Sequence, residues 1–138
     1  MSLIRKRVGT ILGMGAMLVG VALTAGAGTA NAMDPDGSYT ITIHNSSGKV
    51  IGYARWNADP QPAPDIPGDA LIAKDVYADG LGIEAELSNG RIASTRGHDS
   101  PYMKIVPGNL PEGKAYKLRG CIVTSTYREC SPWHDVRA

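Results

Sequence analysis

The sequence predicts an all-β fold: a small antiparallel β-sandwich or barrel of about seven or eight short strands, carrying one disulfide. Three observations predict it. Apolar and polar residues alternate with a period of two in several short runs, clearest over 39–44, 83–88 and 116–123. Gly, Pro, Asn, Asp and Ser punctuate the chain at a spacing of about 8–12 residues, the rhythm of an all-β domain. After residue 32 no long stretch with a 3.6-residue period occurs, and no internal repeat.

The first 32 residues read as a cleaved secretory signal peptide. Arg5, Lys6 and Arg7 form a basic start, 8–23 is an uncharged run rich in Val, Leu, Met, Ala and Gly, and Ala30-Asn31-Ala32 is an A-x-A cleavage site. The alternative is a retained membrane anchor. The apolar run is short and Gly/Ala-rich for that role, since a span takes about 20 strongly apolar residues. Neither a twin-arginine pair nor a lipid-accepting Cys follows, so the general secretory route is expected. The expected product is a secreted, extracellular single all-β domain over 33–138, the length of one domain.

Charge narrows the partners. The whole chain has a formal charge of +1; without the three leader cations, 11 basic residues face 13 acidic ones, a charge of −2. A basic face that tracks phosphates is not expected, so no nucleic acid, and after cleavage no membrane surface. The chain has no Phe. Its core must come from Ile, Leu, Val, Ala, Tyr and two Trp, which is thin enough for a covalent staple to matter.

Along the domain, 39–44 (YTITIH) places Tyr39, Ile41 and Ile43 on one face. The next four residues, Asn45-Ser46-Ser47-Gly48, are a turn signal, and 49–57 is a second arm with apolar residues on both sides. Four prolines in 58–69 (ADPQPAPDIPGD) forbid helix and most ladder pairing, so this is expected to be a stiff, extended connection between sheets. The other reading of it is a polyproline-like ligand for an aromatic groove. Residues 70–78 resume a strand, with a short helix as the alternative. Ile83, Ala85 and Leu87 then oppose Glu84, Glu86 and Ser88, an apolar face against a wet one. Asn89-Gly90 is the strongest hairpin signal in the chain and predicts a type I′ turn with both residues at positive φ. Residues 91–96 return, with Arg91 or Arg96 placed to offset the glutamates. The 97–101 and 107–113 segments are loops around a short strand at 102–106.

The two cysteines lie in 116–133 (YKLRGCIVTSTYRECSPW), where Thr124-Ser125-Thr126 turns one arm back on the other. A Cys121–Cys130 bridge would close a ten-residue loop. It would stabilise by roughly 2.5–3 kcal/mol on the chain-entropy account. It pins one hairpin rather than joining distant parts. Free thiols or half a metal site are the alternatives, but CxxC is absent and the leader points to an oxidising compartment.

No residue set carries a catalytic signature. His44, His98 and His134 are the histidines, and two precede Asp, in His98-Asp99 and His134-Asp135. Nothing in the spacing makes these pairs converge, so no metal is expected. His98-Asp99-Ser100 has the letters of a hydrolytic triad, but consecutive residues rarely converge as base, acid and nucleophile. Glu84 and Glu86 share a strand face; a glycosidase pair would flank a cleft, and a solvated strand face is the plainer reading. An EF-hand, GxGxxG and P-loop are all absent, so no cofactor is expected.

What remains is recognition. Trp56, Tyr102 and Trp133, with His98, Asp99 and His134, are the candidate binding residues; Tyr53, Tyr116 and Tyr127 are the other large side chains. The loops 58–69, 97–101 and 107–114 are expected to cluster at sandwich ends, where binding loops sit. The leader, the size and the runs DGLGIEAELSNGRIASTRGHDSPY and PGNLPEGKAYKLRGC resemble small, uncharacterised secreted proteins of actinomycete-type bacteria. That likeness covers most of 38–133, implies export and a compact β fold, and transfers no functional residue. The expectation is a non-enzymatic binding domain for an extracellular protein or glycan. The alternatives are a small inhibitor or effector using a rigid loop such as 107–113, and a small hydrolase using His98 or the Glu84/Glu86 face.

Overall fold

The structure, a computed structural model, describes residues 32–62 and 65–138, so the leader lies outside it except for its last residue. Eleven strands and no helix occur among the described residues: β1 (Tyr39–His44), β2 (Val50–Asn57), β3 (Gln61–Pro62), β4 (Asp65–Ile66), β5 (Ala70–Asp75), β6 (Gly82–Leu87), β7 (Ile92–Ser94), β8 (Tyr102–Val106), β9 (Ala115–Val123), β10 (Arg128–Cys130) and β11 (His134–Arg137). All pairings are antiparallel. One sheet has the order β1-β2-β5-β8; the other runs β10-β9-β6-β7, with β11 joining the early half of β9. The surplus over the expected strand count has two sources. The proline-rich segment is not wholly extended, because β3 and β4 form a two-residue ribbon. Asn57 braces its base by donating from Nδ2 to the Asp59 and Pro67 carbonyls at 2.6 and 3.0 Å. The tail also supplies a strand, β11, whose Val136 is buried opposite Tyr116.

Period-two alternation sets the two inner faces. Ile41 and Ile43, Ala54 and Trp56, and Leu71 and Ala73 come from the first sheet; Ile83, Ala85 and Leu87, Ala93, Leu118 and Ile122 come from the second. Without Phe, the core is filled by close approach of the sheets rather than by volume. Ala54, Ala73, Ala85 and Ala93 are fully buried between them. At Gly52 a Cβ would lie 2.5 Å from both Ile83 Cγ1 and the Lys74 carbonyl oxygen, so only glycine lets the sheets come this near. Trp56 is fully buried in the middle, with Tyr116 also in the core, and its Nε1 donates to the Arg137 carbonyl at 2.9 Å.

The helix alternative at 70–78 fails because β5 is an inner strand. Ala70, Leu71, Ile72 and Ala73 are all buried, which erases the alternation that would have marked a strand. The Asn89-Gly90 hairpin joins β6 to β7, but its turn differs from the expected one. Leu87 N donates to the Arg91 carbonyl and Gly90 N to the Leu87 carbonyl, both at 2.9 Å. Gly90 has φ +92°, whereas Asp69 is the only non-glycine at positive φ among the described residues. This is a three-residue loop with glycine in the left-handed position, which asks positive φ of Gly90 alone.

Cys121 and Cys130 are bonded and lie directly opposite each other in the β9–β10 ladder. Cys121 also pairs with Glu84 of β6, so the bond sits on the outer face of the second sheet, away from the sandwich core. It therefore clamps a hairpin, as expected. The Cys121→Ser/Cys130→Ser double variant should lose about 2.5–3 kcal/mol in urea unfolding while keeping its β-type far-UV spectrum. A loss of the β signature would place the bond's role in the core instead.

Candidate functional site

Four strand ends meet at one end of the sandwich. The end of β5 comes from the first sheet; the start of β6, the end of β7 and the end of β9 come from the second. The segments that leave them, 76–81, 95–100 and 124–125, wall a cleft of about 830 Å³. That lies within the range of ligand sites. Asp75 and Thr95, both buried, lie along its floor, and Tyr77 and Leu81 give apolar wall. Asp79, His98, Asp99, Ser100 and Ser125 give polar groups.

Each loop is tied. Asp79 Oδ1 accepts from Leu81 N at 2.9 Å, and Asp75 Oδ1 accepts from Tyr77 N at 3.1 Å. Thr95 Oγ1 accepts from Ile83 N at 2.8 Å, while His98 N donates to the Thr95 carbonyl at 3.2 Å. The His98 ring stacks on Tyr102 with centroids 3.7 Å apart and planes 5° from parallel. Arg96 spans the rim, donating from Nη1 to the Thr124 carbonyl and from Nε to Glu84 Oε2.

Glu84 and Glu86 are not a solvated strand face. Glu84 is only 7 % exposed. Its Oε2 accepts from the Ser94 hydroxyl at 2.6 Å and from Arg96 Nε at 2.9 Å, and its Oε1 from Arg128 Nε at 3.3 Å. Glu86 Oε2 accepts from Arg119 Nε at 2.9 Å and Arg128 Nη2 at 2.6 Å. Arg128 thus bridges both carboxylates. Burial pushes both carboxyl groups up, but for Glu84 the hydrogen bonds from Ser94 and Arg96, and for Glu86 those from Arg128 and Arg119, outweigh it. Both are held below the usual glutamate value, the opposite of what a general acid needs. Arg96 does offset one of the glutamates, Glu84; Arg91 turns away, donating from Nη1 to the Asp69 carbonyl at 2.5 Å and lying against the Trp56 ring.

The six candidate binding residues fall in three places. Trp56 is wholly buried in the core and presents nothing to solvent. His98 and Asp99 line the cleft, and Tyr102, half-buried beneath His98, supports its edge. Trp133 and His134 lie at the start of β11. Trp133 is 38 % exposed over the Arg119 guanidinium, on the outer face. His134 faces the other way and stacks on Tyr39 with centroids 4.8 Å apart. His134 sits opposite Leu118 in the ladder, whereas His98 lies at the Val123 end of β9, so the two His-Asp pairs do not meet.

Among the described residues the His98 ring makes no hydrogen bond to Asp99 or Ser100. The three loops also divide: 97–101 borders the cleft, whereas 58–69 and 107–114 meet at another site, where Leu110 N donates to Asp69 Oδ2 at 2.8 Å. The residues that sequence reasoning missed are Asp75, Tyr77 and Asp79. A signal existed for Asp75, since a period of two from Leu71 and Ala73 puts this carboxylate on the core face. No family model matches the chain, and neither does any curated protein or solved structure.

Proposed function

We propose that this chain is a non-enzymatic, secreted recognition domain that takes part of an extracellular protein or glycan into the end cleft. The observation that carries the reading is the cleft itself. Loops tied by local hydrogen bonds gather polar and aromatic side chains from both sheets around a concave space of ligand size. Extracellular location draws its support from the disulfide and from the leader-like first residues.

The test blocks the cleft from its rim. Ala78 and Ser125 are exposed lining residues, so Ala78→Arg and Ser125→Arg add bulk without touching the core. Retention of an extracellular protein or glycan from culture supernatant should fall at least about tenfold in the double variant, with the unfolding midpoint unchanged. Equal retention by wild type and variant would defeat the reading.

A second reading, an inhibitor acting through 107–113, has its own observation. That loop is exposed yet anchored at Leu110 on the buried Asp69, and at Gly113, whose N donates to the Ala138 carbonyl at 2.6 Å. A captured enzyme whose binding is lost on Asn109→Arg and kept in the cleft variants would favour it.

A further inference from the structure

We propose that the cleft is built for an organic cation: an ammonium or guanidinium group carried on an alkyl arm, with Asp75 as its deepest anchor. This rests on the reading of the cleft as the ligand site and adds the chemical class of the ligand.

Asp75 is the observation that carries it. Its side chain ends an apolar strand face, is 4 % exposed, and lines the cleft. Oδ1 accepts from the Tyr77 amide, while no protein donor reaches Oδ2 among the described residues. Oδ2 is not sealed off either, since Asp69 Oδ1 is the only fully occluded side-chain oxygen or nitrogen left without a partner there. Asp75 lines the cleft, which gives Oδ2 a route to solvent. A carboxylate oxygen this poorly exposed is only partly hydrated, and a cation that enters with its own N–H groups gives it a charge-assisted partner.

The surroundings have the same sign. Asp79 and Asp99 are exposed on the cleft walls, and neither they nor Asp75 make an ion pair with any described residue. The cations nearby are engaged elsewhere. Arg96 is held by Glu84 and the Thr124 carbonyl, and Lys49 lies 3.6 Å over the Tyr77 ring. Lys49 is not a lining residue, so its ammonium group lies against Tyr77 without adding a charge to the cleft lining. A metal ion is the wrong ligand, because no three His, Cys, Asp or Glu side chains among the described residues converge on one point. Carboxylates spread along a cleft suit a cation extended along an arm.

Two sources share this chemistry: a free polyamine, and a Lys or Arg side chain of a peptide. The experiment is an amide-resonance titration of the purified protein, disulfide intact, at low salt. The probes are spermidine, an acetyl-Arg-Lys-amide dipeptide and, as a neutral comparator, chitotriose. Either cationic probe should shift amides of 76–82, 95–100 and 123–125. Its affinity should fall about tenfold in Asp75→Asn and about tenfold in half-molar salt. The tighter of the two cationic probes identifies the source.

If Asp75→Asn does not fold, the exposed pair Asp79→Asn/Asp99→Asn must produce the loss instead. Cation affinity unchanged in the pair would overturn the proposal. Shifts at the same amides with chitotriose and none with either cation would also overturn it, while the cleft reading stands. No cleft shift with any probe, together with partner retention that survives Ala78→Arg/Ser125→Arg, would overturn both.

Discussion

Trp56→Ala should destabilise the domain by about 3–5 kcal/mol, the largest effect expected from any single truncation here. The indole is the only large ring wholly buried between the sheets among the described residues. Tyr39 and Leu71 flank it across the ladder, but much of the rest of the core is short: Ala54 beside it on β2, and Ala73, Ala85 and Ala93 elsewhere. Alanines cannot swing into the space a lost indole leaves, so the void persists and its lining loses contacts outright. The Arg137 carbonyl also loses its donor. Trp56→Phe separates the two terms, since it restores most of the volume and none of the hydrogen bond. Urea unfolding should place Phe between Ala and wild type; equal losses for Phe and Ala would assign the whole effect to the Nε1 bond.

The second large effect comes from the outer face. Glu84→Ala should lose about 3–4 kcal/mol, near the low end for breaking a buried ion pair, because Arg96 and Arg128 can recover some water. The side chains of those arginines are 42 % and 34 % exposed, against 9 % for Glu84. The loss has a pH signature. Both Glu84 and Glu86 are held below the ordinary glutamate value in the folded state. Their contribution is therefore complete above the unfolded-state value, about 4.3, and disappears as pH falls through the lowered folded-state values. The wild-type urea midpoint should be level from neutral pH down to about 5 and then fall. In Glu84→Gln/Glu86→Gln it should begin lower and fall less steeply. Parallel wild-type and variant profiles below pH 4.5 would show that these carboxylates are not the acid-sensitive groups.

Strands with one wet face were legible in the sequence. The alternations in 39–44 and 83–88 became β1 and β6, and the cysteine hairpin folded with its staple where two facing positions of the ladder allow it. Legibility failed where burial is two-sided or a strand is very short. β5 hid its period because both faces are covered, and β11 is a four-residue strand in a segment without clean alternation. The glutamates were misjudged for a different reason. Alternation shows that Glu84 and Glu86 share a face, and the returning strand offered Arg96 as a partner, but only the fold shows that Arg119 and Arg128 also close over them. The cleft was legible only in part. His98 and Asp99 were singled out as loop residues, but Asp75 and Tyr77 belong to a strand end and the turn beyond it, brought to the same place by the sheet order.

The hydrogen bond between Trp56 and Arg137 joins positions 81 residues apart. Its consequence is temporal. A chain emerging from the ribosome residue by residue holds most of both sheets before it holds β11, so the largest apolar side chain waits for nearly the final stretch before its burial is complete. Closure is then a late, non-local event of the kind that puts β-rich domains in the millisecond-to-second range.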